Sequence, residues 1–221
     1  MAILLGNASS TNGTGLSATI TGFAVVDLPC RIMIVATSVR RTANSISSIT
    51  CNGKSFSSLG VVTGTNAEVE VWYLLMPDVG TYDVTVTWTG ATPNEHAAGA
   101  FVYYGVHQTS PFGVLASTTG NSAAPSIAVA SGENEVVIDA VSQQGSNAGA
   151  VALTVGANQT QLWQDAYVTT PKANSTTGAS SYEAGAASVT MSWSSSASSN
   201  WAIGGVSLKP APIATQSWCD V

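Results

Sequence analysis

Two glutamates stand two positions apart in Glu68-Val69-Glu70-Val71-Trp72. On an extended chain such residues share a face, which sets their carboxyl groups about 6.5–7 Å apart along the strand. That spacing overlaps the separation at which inverting glycosidases admit a water between acid and base. Those enzymes, however, bring their acids from different strands to flank a cleft, and two glutamates on one strand read first as a solvated face. Trp72 falls on the same face. A flat ring beside carboxylates or amides is how sandwich modules hold sugars: the ring covers an apolar sugar face and the polar groups take the hydroxyls. Gln161, Trp163 and Asp165 repeat the alternation. Trp72, Glu68, Glu70, Trp163, Gln161 and Asp165 are therefore glycan-binding candidates, set against the plainer reading that the tryptophans serve a core or a subunit contact.

Nucleophilic catalysis needs a base, and the two histidines, His96 and His107, fall at a loop or strand edge, where a solvated side chain is expected. No GxSxG elbow is present, so no catalytic residue is assigned and a non-enzymatic protein is expected. The 12 acids are dispersed, and no metal site or cofactor is expected. Three cysteines without CxxC spacing argue against structural zinc. Cys30 and Cys51 flank what reads as a hairpin and could be bridged, subject to the narrow Cα separation a disulfide requires; three reduced thiols are the alternative. Trp218 and Cys219 close the chain and are interface candidates, Cys219 as a link between subunits.

The elements that must position these residues are strands. Tyr82-Asp83-Val84-Thr85-Val86-Thr87-Trp88 alternates large apolar with small polar residues, and Val189-Thr190-Met191-Ser192-Trp193 repeats the pattern. Ile32–Val35, Val69–Met76, Ala100–Val106, Val136–Val141 and Trp201–Leu208 are β-branched or aromatic runs bounded by turn residues such as Asn52-Gly53 and Pro77-Asp78-Val79-Gly80. The pattern predicts an all-β fold: a single large jelly-roll-like sandwich of about a dozen strands with little or no helix. One domain over residues 1–209 and an extended tail over 210–221 are expected, and no internal repeat of about 20–50 residues is visible.

Bulk composition narrows the partners. Charged residues make up 8% of the chain and the hydrophobic fraction is 45%, whereas an average globular protein is about 25% charged. The exterior must therefore be built from Ser, Thr, Asn, Gln and Gly, and a surface so poor in lysine and arginine gives trypsin-like proteases little to cut. Nucleic acid is excluded on magnitude. A duplex binder neutralises about 6–10 phosphates, whereas this chain holds 6 Lys+Arg in total against a net charge of −6. No run approaches the roughly 20 apolar residues of a membrane span, so no membrane insertion is expected. Met1-Ala2-Ile3-Leu4-Leu5 reads as a first strand rather than a signal peptide; removal of an earlier signal, or release by lysis as for a virus particle, fits the exterior-type composition.

Three stretches carry a resemblance. Glu70-Val71-Trp72-Tyr73-Leu74 with Pro77 and Gly80, Phe101-Val102-Tyr103-Tyr104-Gly105-Val106-His107-Gln108-Thr109-Ser110-Pro111, and Trp201-Ala202-Ile203 with Val206-Ser207-Leu208-Lys209-Pro210 are similar to Gly/Ser/Thr-rich β-sandwich domains of tailed-phage virion proteins and of bacterial secreted or surface proteins. The likeness spans residues 15–210. It implies a jelly-roll-like fold and a virion or extracellular setting, and it brings no catalytic residue. His107 stands where the resemblance leads one to expect an acidic residue, which counts against a shared metal ligand there. The expected function is a structural virion protein on the virion surface, decorating or reinforcing a phage capsid or tail. Its partners would be other virion proteins and copies of itself as a homo-oligomer. The alternative is a secreted or cell-surface carbohydrate-binding module or adhesin that recognises surface glycans.

Overall fold

A computed structural model of the chain describes residues 1–40, 46–90 and 94–212, with the backbone alone of Asn94. Within them the fold is all-β: seventeen strands in antiparallel sheets and one short 3₁₀ turn at Lys172–Asn174. Up to residue 104 the strands are β1 (Leu4–Gly15), β2 (Ser17–Val25), β3 (Ile32–Val39), β4 (Ile46–Cys51), β5 (Lys54–Ser55), β6 (Ser57–Gly64), β7 (Ala67–Leu75), β8 (Gly80–Trp88) and β9 (Asn94–Tyr104). After a connecting segment come β10 (Ala116–Ser122), β11 (Ser126–Ala130), β12 (Val136–Gln144), β13 (Leu153–Val155), β14 (Thr160–Tyr167), β15 (Thr176–Ala184), β16 (Ser188–Ser195) and β17 (Ser199–Leu208).

The sheet orders reveal a repeat. The first half forms an inner sheet β1-β9-β3-β7-β6 and an outer sheet β2-β8-β4-β5; the second forms an inner sheet β10-β17-β12-β15-β14 and an outer sheet β11-β16-β13. Each half places its first strand beside its last in one sheet and its second beside its penultimate in the other, the interleaving of a jelly roll. Register makes the halves equivalent residue by residue. Ser38 pairs with Val69 and Ala97 as Ser142 pairs with Gly178 and Ala202. Trp193 ends its alternating run on β16 where Trp88 ends the same run on β8.

The layers stack outer, inner, inner, outer, with three cores between them. The first outer and inner sheets enclose Ile20, Phe23, Val35, Ile49, Val84, Val86 and Val102. The two inner sheets enclose Ile32, Ile34, Val69, Val71, Phe101, Tyr103, Ile138, Trp163, Val206 and Leu208. The second inner and outer sheets enclose Val129, Val137, Val141, Met191, Trp193 and Ile203. The central strands of the inner sheets are therefore covered on both faces, and every residue of β3 is buried. This explains why Ile32–Val35 is an unbroken apolar run, the pattern of a strand covered on both sides, whereas β8, covered on one, alternates. At the centre the equivalent Ser38 and Ser142 meet, Oγ to Oγ at 2.8 Å, so the halves face each other like the two copies of a two-fold dimer.

Close approach and turn chemistry follow from the same residues. Asn52 and Gly53 have φ of 47° and 75° and link β4 to β5, the double left-handed pair that a two-residue hairpin needs. A Cβ on Gly99 would collide with the Trp163 indole, so glycine there admits the ring between the inner sheets. The segment joining the halves is stitched to the end of β17: Val106 and Phe112 form bridges with Pro210 and Leu208, and the Ala211 N–H donates to the Gly105 carbonyl at 2.7 Å. The beginning of the segment expected as a tail thus docks on the body. The Met1 ammonium also donates to the Ala211 carbonyl, at 2.8 Å.

Candidate functional site

Glu68, Glu70 and Trp72 do share a face of β7, but that face is turned to the outer sheet rather than to solvent. Glu68 is 4% exposed and Glu70 5%, which corrects the solvated-face expectation. Glu70 Oε1 accepts the Ile46 N–H at 2.9 Å and Oε2 accepts the Trp72 Nε1–H at 3.0 Å. Its two oxygens thereby tie β4 to β7 and fix the ring. Glu68 accepts the Thr63 hydroxyl at 2.9 Å from β6. Burial pushes its carboxyl up to about 7, with the Thr63 bond pulling it back and the Glu70 charge adding to the rise. Trp72 is half-buried against the first core.

The second trio is pulled apart. A bulge between Gln161 and Trp163 breaks the alternation, leaving Gln161 exposed while Trp163 is 5% exposed between the inner sheets. Asp165 Oδ1 accepts from Asn12 Nδ2 of β1 and from the Ala166 N–H. Both tryptophans belong to cores, the plainer of the two readings, and neither ring is presented as an open platform.

Sequence reasoning passed over a buried acid. Asp139, inside the apolar run Val136–Val141, is 2% exposed and faces the second outer sheet. Its Oδ2 accepts the Trp193 Nε1–H at 2.6 Å, and its Oδ1 accepts the Ser181 N–H and hydroxyl, both at 2.8 Å. Burial raises its carboxyl to about 6 against the pull of those donors. A carboxylate within a β-branched run was the available signal: such an acid must be bonded internally.

The histidines divide. His96 is 1% exposed and stacked on Trp88 at 4.5 Å between ring centroids, which corrects the expectation of a solvated side chain. His107 Nδ1 accepts the N–H groups of Thr109 and Ser110 at 3.2 and 3.1 Å and caps its own turn. Cys30 is disulfide-bonded while Cys51 carries a free, buried thiol, so no Cys30–Cys51 bridge forms. The two lie in different clusters: Cys51 in the first core, Cys30 against Ala211. Burial pushes the Cys51 thiol up, and the Asp78 and Asp83 charges reinforce the rise over the opposing Lys54. Trp218 and Cys219 lie outside the described residues. Among the described residues no three His, Cys, Asp or Glu side chains are grouped to share a metal ion.

What the surface offers is apolar. At one pole of the first half, Val25 pairs with Gly80, so Val26 and Val79 stand side by side just beyond the ladder. The Val26 N–H donates to the Tyr104 hydroxyl, and Tyr104 pairs with Leu4. Leu28 follows in the same loop, its carbonyl accepting from Arg31. Leu4, Leu5, Val26, Leu28 and Val79 are all exposed, Val26 at 54%. Arg31 with Asp27 and Lys54 with Asp78 rim this pole as ion pairs of 3.0 and 2.7 Å. These exposed apolar side chains fall on neighbouring segments at one end of the first half, unlike apolar residues scattered singly.

No family model matches the chain, and no curated protein and no solved structure matches it either.

Proposed function

We propose that the protein is a non-enzymatic structural component of a phage particle, docked on the capsid or tail through protein contacts and associating with copies of itself. One observation carries the reading: the groups capable of chemistry are spent inside the fold, while an apolar cluster faces out. Glu70 and Asp139 each satisfy two or more internal donors, and the exposed end of the first half presents Leu4, Leu5, Val26, Leu28 and Val79. The charge-poor exterior, with few sites for trypsin-like proteases, and the likeness to virion sandwich domains support the same setting.

The test is co-sedimentation of purified protein with particles of the phage or strain that carries the gene. The wild-type protein should pellet with particles, and Val26→Asp and Val79→Asp should lose that binding with unfolding midpoints little changed, because both side chains are about half exposed. A protein with no affinity for any capsid or tail lattice that instead binds a glycan array would replace this reading with the carbohydrate-binding one. With Trp163 buried and Trp72 half-buried, that reading would need a different platform.

A further inference from the structure

Cys30 is disulfide-bonded and Cys51 is a free thiol, while the chain holds 3 cysteines. Within this chain one sulfur is left to bond Cys30, that of Cys219. The surroundings of Cys30 favour the pairing. Cys30 lies in the connection between β2 and β3, is 1% exposed, and packs against Ala211 rather than in any of the three cores. One backbone joint holds the two residues together. The Cys30 and Pro29 carbonyls accept the Val106 and Gly105 N–H groups, both at 3.1 Å, and the Gly105 carbonyl accepts the Ala211 N–H at 2.7 Å.

Chain length allows the return. Residues 212–218 separate Ala211 from Cys219, and a segment of that length reaches about 23–25 Å when extended. A disulfide needs its Cα atoms only about 4.4–6.8 Å apart. Because Ala211 is already fixed beside Cys30, a short loop alone has to close, at little entropic cost. The chemistry needs an electron acceptor, for which a disulfide oxidant such as glutathione disulfide serves. Each cysteine thiol gives up its proton, the new S–S bond forms, and the oxidant's S–S bond breaks to leave two glutathione thiols that carry the two electrons and two protons. Oxidising surroundings outside the cell favour the product and a reducing cytoplasm opposes it.

We infer that Cys30 and Cys219 form a covalent clasp within one chain, tying the C-terminal segment to the connection between β2 and β3 under oxidising conditions. The clasp goes beyond the virion reading and does not depend on it. Full-length protein folded with glutathione disulfide, denatured with N-ethylmaleimide and digested with trypsin without reductant tests it. Cleavage after Lys and Arg, with Lys209 protected by Pro210, places Cys30 in peptide 1–31, Cys51 in peptide 42–54 and Cys219 in peptide 173–221. Peptide 1–31 should be found joined to 173–221, with the maleimide on 42–54 alone, and the undigested chain should run as a monomer on a non-reducing gel. Cys219→Ser, which alters nothing in the three cores, should melt about 5–15 °C below the oxidised wild type, and dithiothreitol should bring the wild type down to the same midpoint. Maleimide on peptides 1–31 and 173–221, two copies of 1–31 joined to each other, or a disulfide-linked dimer on the gel would each overturn the clasp.

Discussion

Replacing Asp139 by asparagine should change how stability depends on pH more than it changes stability at any one pH. In the fold burial raises the carboxyl from 3.8 to about 6, so between those values the native state holds a proton that the unfolded chain has released. Stability from this group is fully present below pH 3.8 and is lost as pH rises through 6. The shift of roughly 2 units corresponds to about 3 kcal/mol at 1.36 kcal/mol per unit. Asp139→Asn removes the titration. Its Oδ1 can still accept from Ser181, but its amide donors then face Trp193 Nε1–H, which costs about 1–3 kcal/mol at every pH. The variant should therefore be clearly less stable than the wild type at pH 4, and the gap should close by about 2.5 kcal/mol on reaching pH 7.5, part of the full effect being already lost at pH 4. Urea unfolding followed by tryptophan fluorescence across that range gives the difference directly, and taking the difference cancels groups common to both proteins, Glu68 included. A gap that stays constant, or widens as pH rises, would show that the donors from Trp193 and Ser181 outweigh burial and that the reasoning is wrong.

Three further outcomes follow from the packing. Ser38→Ala and Ser142→Ala should each cost about 1 kcal/mol in chemical denaturation, and the double variant less than their sum, because the second removes a group the first has already orphaned. Gly99→Ala drives a methyl group into Trp163 and should cost about 1–3 kcal/mol with a shifted indole emission; an unchanged midpoint would mean that the inner sheets are not held at this spacing. Glu70→Ala leaves the Ile46 N–H and the Trp72 indole N–H without their acceptor and should lower stability by about 2–4 kcal/mol, whereas Glu70→Gln, which keeps one acceptor, should lose less.

The fold class was legible because half-buried strands announce themselves: Tyr82–Trp88 alternates in sequence, and β8 alternates in structure. The layering was not. Inner strands covered on both faces lose the in–out code, so Glu68, Glu70 and Trp72 could be assigned a common face but not the surroundings of that face. The repeat spans half the chain, and between its copies the matching is confined to positions such as Ile34 and Ile138, Ala36 and Ala140, Ser38 and Ser142, easily lost in a sequence rich in Ser, Thr and Ala. Periods of 20–50 residues could not detect it. The bulge before Trp163 is the other blind spot. One inserted residue moves the ring to the opposite face, and nothing in Gln161-Leu162-Trp163 marks where the strand bends.

The contact between the Met1 ammonium and the Ala211 carbonyl has a mechanical meaning. It pins the start of the first strand to the segment that follows β17, at one pole of the body. Peeling β1 away from that pole would load its rungs with β9 one after another, as a zipper is loaded, rather than all at once in shear.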